Sequence, residues 1–165
     1  MSSEAPAPAV STGDTPSARV FRSESVRYLR DVYLPRLERA LAPLSPEDVW
    51  WRPREEVISF GTILLHLEGN VRQWILSGLG GRPDDRDRDA EFAATDGPPP
   101  AQMLARLRDT VLAACEVIEG LDEPALHAST TIQGRETSAL AAIYHVVEHF
   151  GYHTGQASWI SKTRR

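Results

Sequence analysis

Four segments of this 165-residue chain repeat large apolar residues at the three- and four-residue spacing of an α-helix. The segments span about residues 20–41, 59–77, 101–120 and 138–162. No comparable set of alternating apolar and polar residues predicts a sheet that could cover them. Since amphipathic helices bury their apolar faces against one another, we predict an all-α fold, a four-helix bundle.

Capping residues and one proline define the predicted ends and irregularities of these helices. Ser45, which precedes a proline and two acids, is typical of the N-cap of a short helix. Ser59 is typical of the N-cap of the second long helix, and Thr137 or Ser138 that of the last. Pro35 removes a backbone donor inside the first long helix, so we predict a bend or break there.

Two stretches lack helical periodicity. Residues 1–17 are rich in Ala, Pro, Ser and Thr, so we predict a flexible tail followed by a single domain over residues 18–165. Residues 80–100 combine glycines, prolines and dense mixed charge. This composition predicts a long surface crossover between the second and third long helices.

Composition excludes several classes of function. The net charge is −5 and arginines are interleaved with acids, so no basic surface for nucleic acid is expected. No apolar run approaches the roughly 18 residues of a membrane span, and no signal peptide is apparent. Cys115 has no partner for an internal disulfide and follows the apolar pattern of its helix. We therefore expect a soluble, cytoplasmic protein in which this thiol is buried.

The last helix carries a ladder of three histidines, His145, His149 and His153, at four-residue spacing. Four residues advance about 6 Å and overshoot one turn by about 40°, so adjacent members can bind one ion. The outer two are separated by about 12 Å of rise and 80° of rotation, so they cannot both bind the same ion. Either adjacent pair remains possible, and His66 on the second helix is the natural third ligand in a bundle.

Three neutral imidazoles suit one divalent ion, zinc or nickel, and leave a coordination position open as in catalytic sites. Hydrogen-bonded core histidines are the alternative interpretation. The segment HVVEH also fits the inverted zincin motif H-x-x-E-H, with Glu148 as general base. Only sixteen residues follow His149 and none is acidic, so a peptidase is disfavoured.

Gly151 and Gly155 lie within the same helix, where each glycine costs about 1 kcal/mol relative to alanine. Bare backbone at these positions leaves room for a ligand or allows close approach of another helix. Both explanations remain open from the sequence.

Two motifs carry a resemblance to a known family: SFGTILLHLEGNVRQWILSGLGG in the second helix and HVVEHFGYHTGQ in the last. They resemble the DinB/YfiT-like superfamily of bacterial metal-binding four-helix bundles. The run from Trp50 to Trp74, together with EHFGYHTGQ, is similar to its uncharacterised DinB-like subgroup. The resemblance implies that His66, His149 and His153 hold one divalent ion, usually zinc or nickel.

The resemblance also implies a class of chemistry. Some relatives activate a low-molecular-weight thiol such as bacillithiol or mycothiol, and others resemble metal-dependent hydrolases. We therefore expect a small-molecule substrate and, as the leading hypothesis, a thiol S-transferase-like enzyme; a hydrolase is the alternative. Expected supporting residues around the metal are His145, Glu148, Tyr152 and Gln156. Thr154 replaces an arginine common in relatives, which puts transfer of their substrates to this chain in doubt.

A second alternative is a non-catalytic stress or interaction protein whose metal stabilises the bundle. The resemblance implies a homodimer, and Trp50, Trp51 and Trp159 are candidates for its interface. Buried aromatic packing is the commoner role of tryptophan. Exchangeable thiol binding at the metal distinguishes the enzyme from this alternative.

Overall fold

The computed structural model describes residues 14–164, which form seven helices and one two-stranded sheet. The long helices are α1 (consecutive segments Pro16–Val26, Arg27–Tyr33 and Leu34–Leu41), α3 (Phe60–Val71 and Arg72–Ser77), α5 (Pro100–Gly120) and α7 (Ala139–Thr163). The short elements are α2 (Pro46–Trp50), α4 (Arg88–Ala93), α6 (Glu123–His127), β1 (Ser129–Ile132) and β2 (Arg135–Ser138).

The four long helices enclose one apolar core. Helix α3 contacts α5 and α7, and α1 contacts the same two helices from the other side. The core is contributed by all four helices, including the fully buried Leu37, Leu67, Leu107 and Phe150. The predicted all-α four-helix bundle is therefore confirmed, and within the described residues no helix is long and apolar enough to cross a membrane.

Helix α1 starts earlier than predicted. It begins at Pro16 rather than near residue 20, because the side chain of Thr15 caps it by accepting a hydrogen bond from Ala18 N. Thr15 N also donates to Glu123 Oε2 at 2.6 Å, which joins the start of α1 to α6. Residues 16 and 17 of the predicted tail are thus helical, and residues 1–13 lie outside the described part.

Helix α1 does not break at Pro35, one of the two outcomes predicted there, and the bend stays a prediction. Helix α1 runs on to Leu41, and the turns over Arg27–Tyr33 widen to π-helical geometry. Leu34 N donates to the carbonyl of Leu29, five residues earlier, instead of four. A π-turn shifts the hydrogen-bond register, so the helix tolerates the missing donor of Pro35 without ending.

The other predicted caps are present. Ser45 and Asp48 form a reciprocal capping box at the start of α2. Ser59 caps α3 by accepting from Thr62 N, and Ser138 caps α7 by accepting from Ala141 N. Of the two candidates for the last cap, Ser138 is therefore the residue used.

Two connections between the long helices contain secondary structure of their own. The crossover after α3 includes helix α4, which Asp87 caps by accepting from Ala90 N at 2.9 Å. The connection between α6 and α7 is an antiparallel hairpin of β1 and β2. Its two turn residues, Gln133 and Gly134, have φ of 53° and 71°, as a two-residue type I′ turn requires.

The single cysteine lies in the core, as predicted. Cys115 on α5 is 2% exposed. Burial raises the pKa of its thiol to about 11, so it stays protonated at neutral pH. A protonated, buried thiol on α5 is a packing group and supplies no metal ligand.

Candidate metal centre

Helices α3 and α7 bring His66, His149 and His153 together. The Nε2 atom of His149 lies 3.1 Å from that of His66 and 3.2 Å from that of His153. One ligand atom from each histidine lies within 4.8 Å of the other two. Zinc–nitrogen bonds of about 2.0–2.1 Å place tetrahedral ligand atoms about 3.3 Å apart. The three imidazoles therefore fit a single divalent ion after a small adjustment.

Hydrogen bonds determine which nitrogens of the cluster carry protons. His66 Nδ1 is 2.9 Å from Glu91 Oε2, and His153 Nδ1 is 2.7 Å from Gln156 Oε1. Both oxygens are acceptors, so each ring donates from Nδ1 and leaves Nε2 unprotonated. His149 can place at most one proton on its own Nε2, which still leaves one close nitrogen pair without a hydrogen. A cation among these lone pairs would remove the mismatch.

Burial keeps two members of the cluster, His149 and His153, neutral. It lowers the pKa of His149 to about 3, and the neighbouring imidazoles act in the same direction. It likewise lowers the pKa of His153 to about 4, against the opposing effect of the Gln156 hydrogen bond. Metal ligation requires unprotonated imidazole, so both residues are in the ligating form at pH 7.

His145, the third member of the ladder, lies beside the cluster. Its ring centroid is 5.3 Å from that of His149 and 4.1 Å from that of Trp74 on α3. Its Nε2 is 3.4 Å from Asn70 Nδ2. The structure thus groups His149 and His153 with His66 and leaves His145 packed between α3 and α7.

The expected supporting residues divide into two groups. Gln156 contacts His153 directly, and its Nε2 donates to Tyr152 Oη at 3.2 Å. Tyr152 is 60% exposed, and its ring also packs edge-on against the His153 ring, with 5.2 Å between the ring centroids. Glu148 is exposed, and within residues 14–164 it makes no hydrogen bond to the three histidines. The inverted zincin motif would pair His145 with His149 as ligands, whereas the structure groups His149 with His66 and His153.

Two charged residues of the crossover contact the cluster although the sequence analysis did not select them. Glu91, on α4, accepts from His66, and Arg86 donates to Glu91 from Nε at 2.7 Å and Nη2 at 2.8 Å. The cap formed by Asp87 was a sequence signal for a helix here. Nothing in the spacing indicated which acid would reach a histidine 25 residues away.

The structure explains only one of the two glycines of α7. A Cβ at Gly151 would lie 2.7 Å from Tyr33 Oη, so bare backbone allows α1 to pack closely there. A Cβ at Gly155 would meet nothing within 4 Å. Close helix packing explains Gly151, whereas no contact within the described residues explains Gly155.

Alanine should stabilise the protein at position 155 but not at position 151. Gly155→Ala should raise the free energy of unfolding by up to about 1 kcal/mol, because alanine favours the helix and meets no obstacle. Gly151→Ala must displace Tyr33, which stacks on Phe150, and should be less stable than Gly155→Ala by at least about 1 kcal/mol. Urea unfolding of both metal-free variants measures the difference. Equal stabilisation by the two substitutions would contradict the assigned role of Gly151.

A largely apolar groove of about 470 Å³ adjoins the cluster at Gln156. This size is within the range of small-molecule sites. Gly155 and Gln156 form one side of the groove, so it lies next to the residue that orients His153. Its other walls are Pro53, Val57, Ile58, Trp159 and Ile160.

Comparison with known proteins identifies the class of fold first. The chain is similar to the crystal structure of a DinB-like protein from Bacillus cereus ATCC 10987, with a TM-score of 0.58 and 16% sequence identity. The similarity covers 89% of this chain and 88% of that one. At this identity it shows a shared fold, that of the DinB-like bundles.

The family follows from the sequence match. Residues 20–165 match the family described as "Protein of unknown function (DUF1572)", a DinB-like family, and the chain belongs to it. The resemblance stated from the two helix motifs is therefore confirmed. No curated protein matches the chain.

Proposed function

We propose that this protein binds one divalent metal ion, zinc or nickel, at His66, His149 and His153 and uses it to activate a small thiol or water. The observation that carries the proposal is the set of three Nε2 atoms that face one another with too few protons to pair. Two acceptors, the buried Glu91 and the half-buried Gln156, hold two of those nitrogens in the ligating form.

The charge of the surroundings favours an anionic substrate at the ion. The three imidazoles are neutral ligands, and the charge of Glu91 is balanced by its ion pair with Arg86. The protein therefore leaves the double positive charge of the ion largely uncompensated. A bound divalent ion lowers the pKa of a coordinated water or thiol, and this excess charge strengthens the effect.

The chain's own residues supply orientation and substrate contacts. Gln156 holds the ring of His153 and also borders the apolar groove. A substrate with an apolar portion could place it there while its reacting group faces the ion. Bare backbone at Gly155 keeps that part of the groove open. A thiol S-transferase-like reaction and a hydrolytic one use this arrangement equally, and we favour the thiol because a thiolate is the softer ligand for zinc.

The non-catalytic dimer is the second candidate, and exposed aromatic residues on α7 favour it. Tyr144, Tyr152 and Trp159 are 65%, 60% and 55% exposed. Trp50 is not available in the same way, because its ring packs against Gly61 and Gly97. A homodimer through α7 is compatible with either candidate function, whereas an inert metal site is specific to the second.

Cobalt substitution separates the two candidates. Protein loaded with Co²⁺ should develop sulfur-to-cobalt charge-transfer absorption when 2-mercaptoethanol is added, since the site leaves a position open for a thiolate. The His149→Ala variant under the same conditions is the control for cobalt bound elsewhere. A visible cobalt spectrum that does not respond to thiol, with no turnover of p-nitrophenyl acetate, would favour the non-catalytic role.

A further inference from the structure

A buried ion pair from the crossover contacts His66. Glu91 Oε2 accepts from His66 Nδ1 at 2.9 Å, and the guanidinium of Arg86 donates to both oxygens of Glu91. The side chains of Arg86 and Glu91 are 3% and 10% exposed. Arg86 also donates from Nη1 to Gln73 Oε1 on α3 at 2.9 Å. The pair therefore joins the crossover to the same helix that carries His66.

The ion pair of Arg86 and Glu91 determines which nitrogen of the His66 ring carries the proton. Arg86 Nη2 also lies 3.2 Å from His66 Nδ1, but Glu91, which is paired with the Arg86 guanidinium, can only accept, so Nδ1 carries the proton and donates it to Glu91. Both oxygens of Glu91 accept hydrogen bonds from the cationic guanidinium of Arg86. Glu91 is therefore a carboxylate. A carboxylate on Nδ1 directs the lone pair of Nε2 at the cluster and makes that nitrogen a stronger ligand.

A glycine on α3 makes room for this contact. A Cβ at Gly69 would collide with Glu91 Oε1 and lie 2.9 Å from its Cδ and 3.0 Å from Arg86 Nε. Gly69 lies inside α3, where glycine costs about 1 kcal/mol relative to alanine. The positions of Gly69, Arg86 and Glu91 thus all serve one hydrogen bond to His66.

We propose that Arg86 and Glu91 are positioning residues that orient His66 for the metal and couple metal binding to docking of the crossover on α3. This inference rests on the proposed metal site. An ion at Nε2 polarises the ring and strengthens the bond from Nδ1 to Glu91, which tightens the crossover. By linkage, a docked crossover must raise metal affinity by the same factor.

Metal affinity tests the orienting role. Glu91→Gln keeps the size of the side chain but removes its charge, and Gly69→Ala pushes the carboxylate away without altering it. Each should weaken Co²⁺ binding about 10- to 100-fold and shift the visible cobalt spectrum. In the double variant the two losses should not add, because both act through one contact. Asp89→Asn, an exposed change on the same short helix, is the matched control and should bind like wild type.

Hydrogen exchange tests the coupling. Zinc should slow amide exchange in α4, Arg88–Ala93, in the wild type and slow it much less in Glu91→Gln. A merely structural role would lower the stability of the metal-free variants without changing the cobalt spectrum or this response. If wild type binds no metal, the proposed function itself fails. If wild type binds metal and both variants bind within twofold with unchanged spectra, the metal site stands and the positioning role is wrong.

Discussion

Replacing His149 by alanine should abolish tight binding of zinc, nickel or cobalt. His149 supplies the central nitrogen of the cluster, at 3.1 and 3.2 Å from the other two. The remaining pair, His66 and His153, would face each other across the gap that it leaves. Loss of an outer-shell partner alone costs about 10- to 100-fold in metal affinity, so loss of this ligand should cost more than about 100-fold. Competition titration against a chromogenic chelator measures the change.

His145→Ala is the matched control for that experiment. It removes an imidazole one turn away on the same helix. It also removes aromatic packing, here against Trp74. It should retain metal affinity within a few-fold. Equal losses in the two variants would mean that the whole ladder takes part, and full retention in His149→Ala would remove the residue from the ligand set.

The metal-free protein should lose stability steeply as the pH falls below about 6.5. The folded pKa of His149 is about 3 and that of His153 about 4, both below the usual value of 6.5. In acid the unfolded chain therefore takes up protons that the folded chain excludes. The stability contributed by the neutral imidazoles is complete above pH 6.5 and is lost as the pH falls towards 4.

The slope of this loss has an upper limit of about 1.4 kcal/mol per pH unit for each imidazole. Solvent screening of the partly exposed His149 should reduce it. Urea unfolding of chelator-treated protein at pH 7, 6 and 5 measures the slope, and His149→Ala should make it shallower. His127→Ala, which removes an exposed histidine, should leave it unchanged. A stability that is flat between pH 7 and 5 would show that these histidines are not buried in the neutral form.

The four long helices could be predicted from sequence because their information is local. Apolar spacing and caps such as Ser59 and Ser138 define each helix without reference to the rest of the chain. Helix α1 shows the limit of such rules. Pro35 is a reliable breaker when only α-helical geometry is considered, but a π-helical turn accommodates it within a packed bundle.

The candidate site was predictable where it depends on spacing and not where it depends on tertiary contacts. Four-residue spacing excluded the pairing of His145 with His153 at one ion, and the resemblance to the family selected His149 and His153 together with His66 as the ligands. The pairing of Glu91 with His66 depends on how the crossover folds back over α3. Local sequence carries no signal for that path, and the many acids of the crossover made its one buried carboxylate indistinguishable from the exposed ones.

Elemental analysis of protein purified without a metal-affinity tag tests the central claim most directly. We expect about one zinc or nickel ion per chain in the wild type and in His145→Ala, and almost none in His149→Ala. A wild-type protein that contains no transition metal and binds none on titration at neutral pH would contradict the account. The three histidines would then be a hydrogen-bonded polar cluster between α3 and α7.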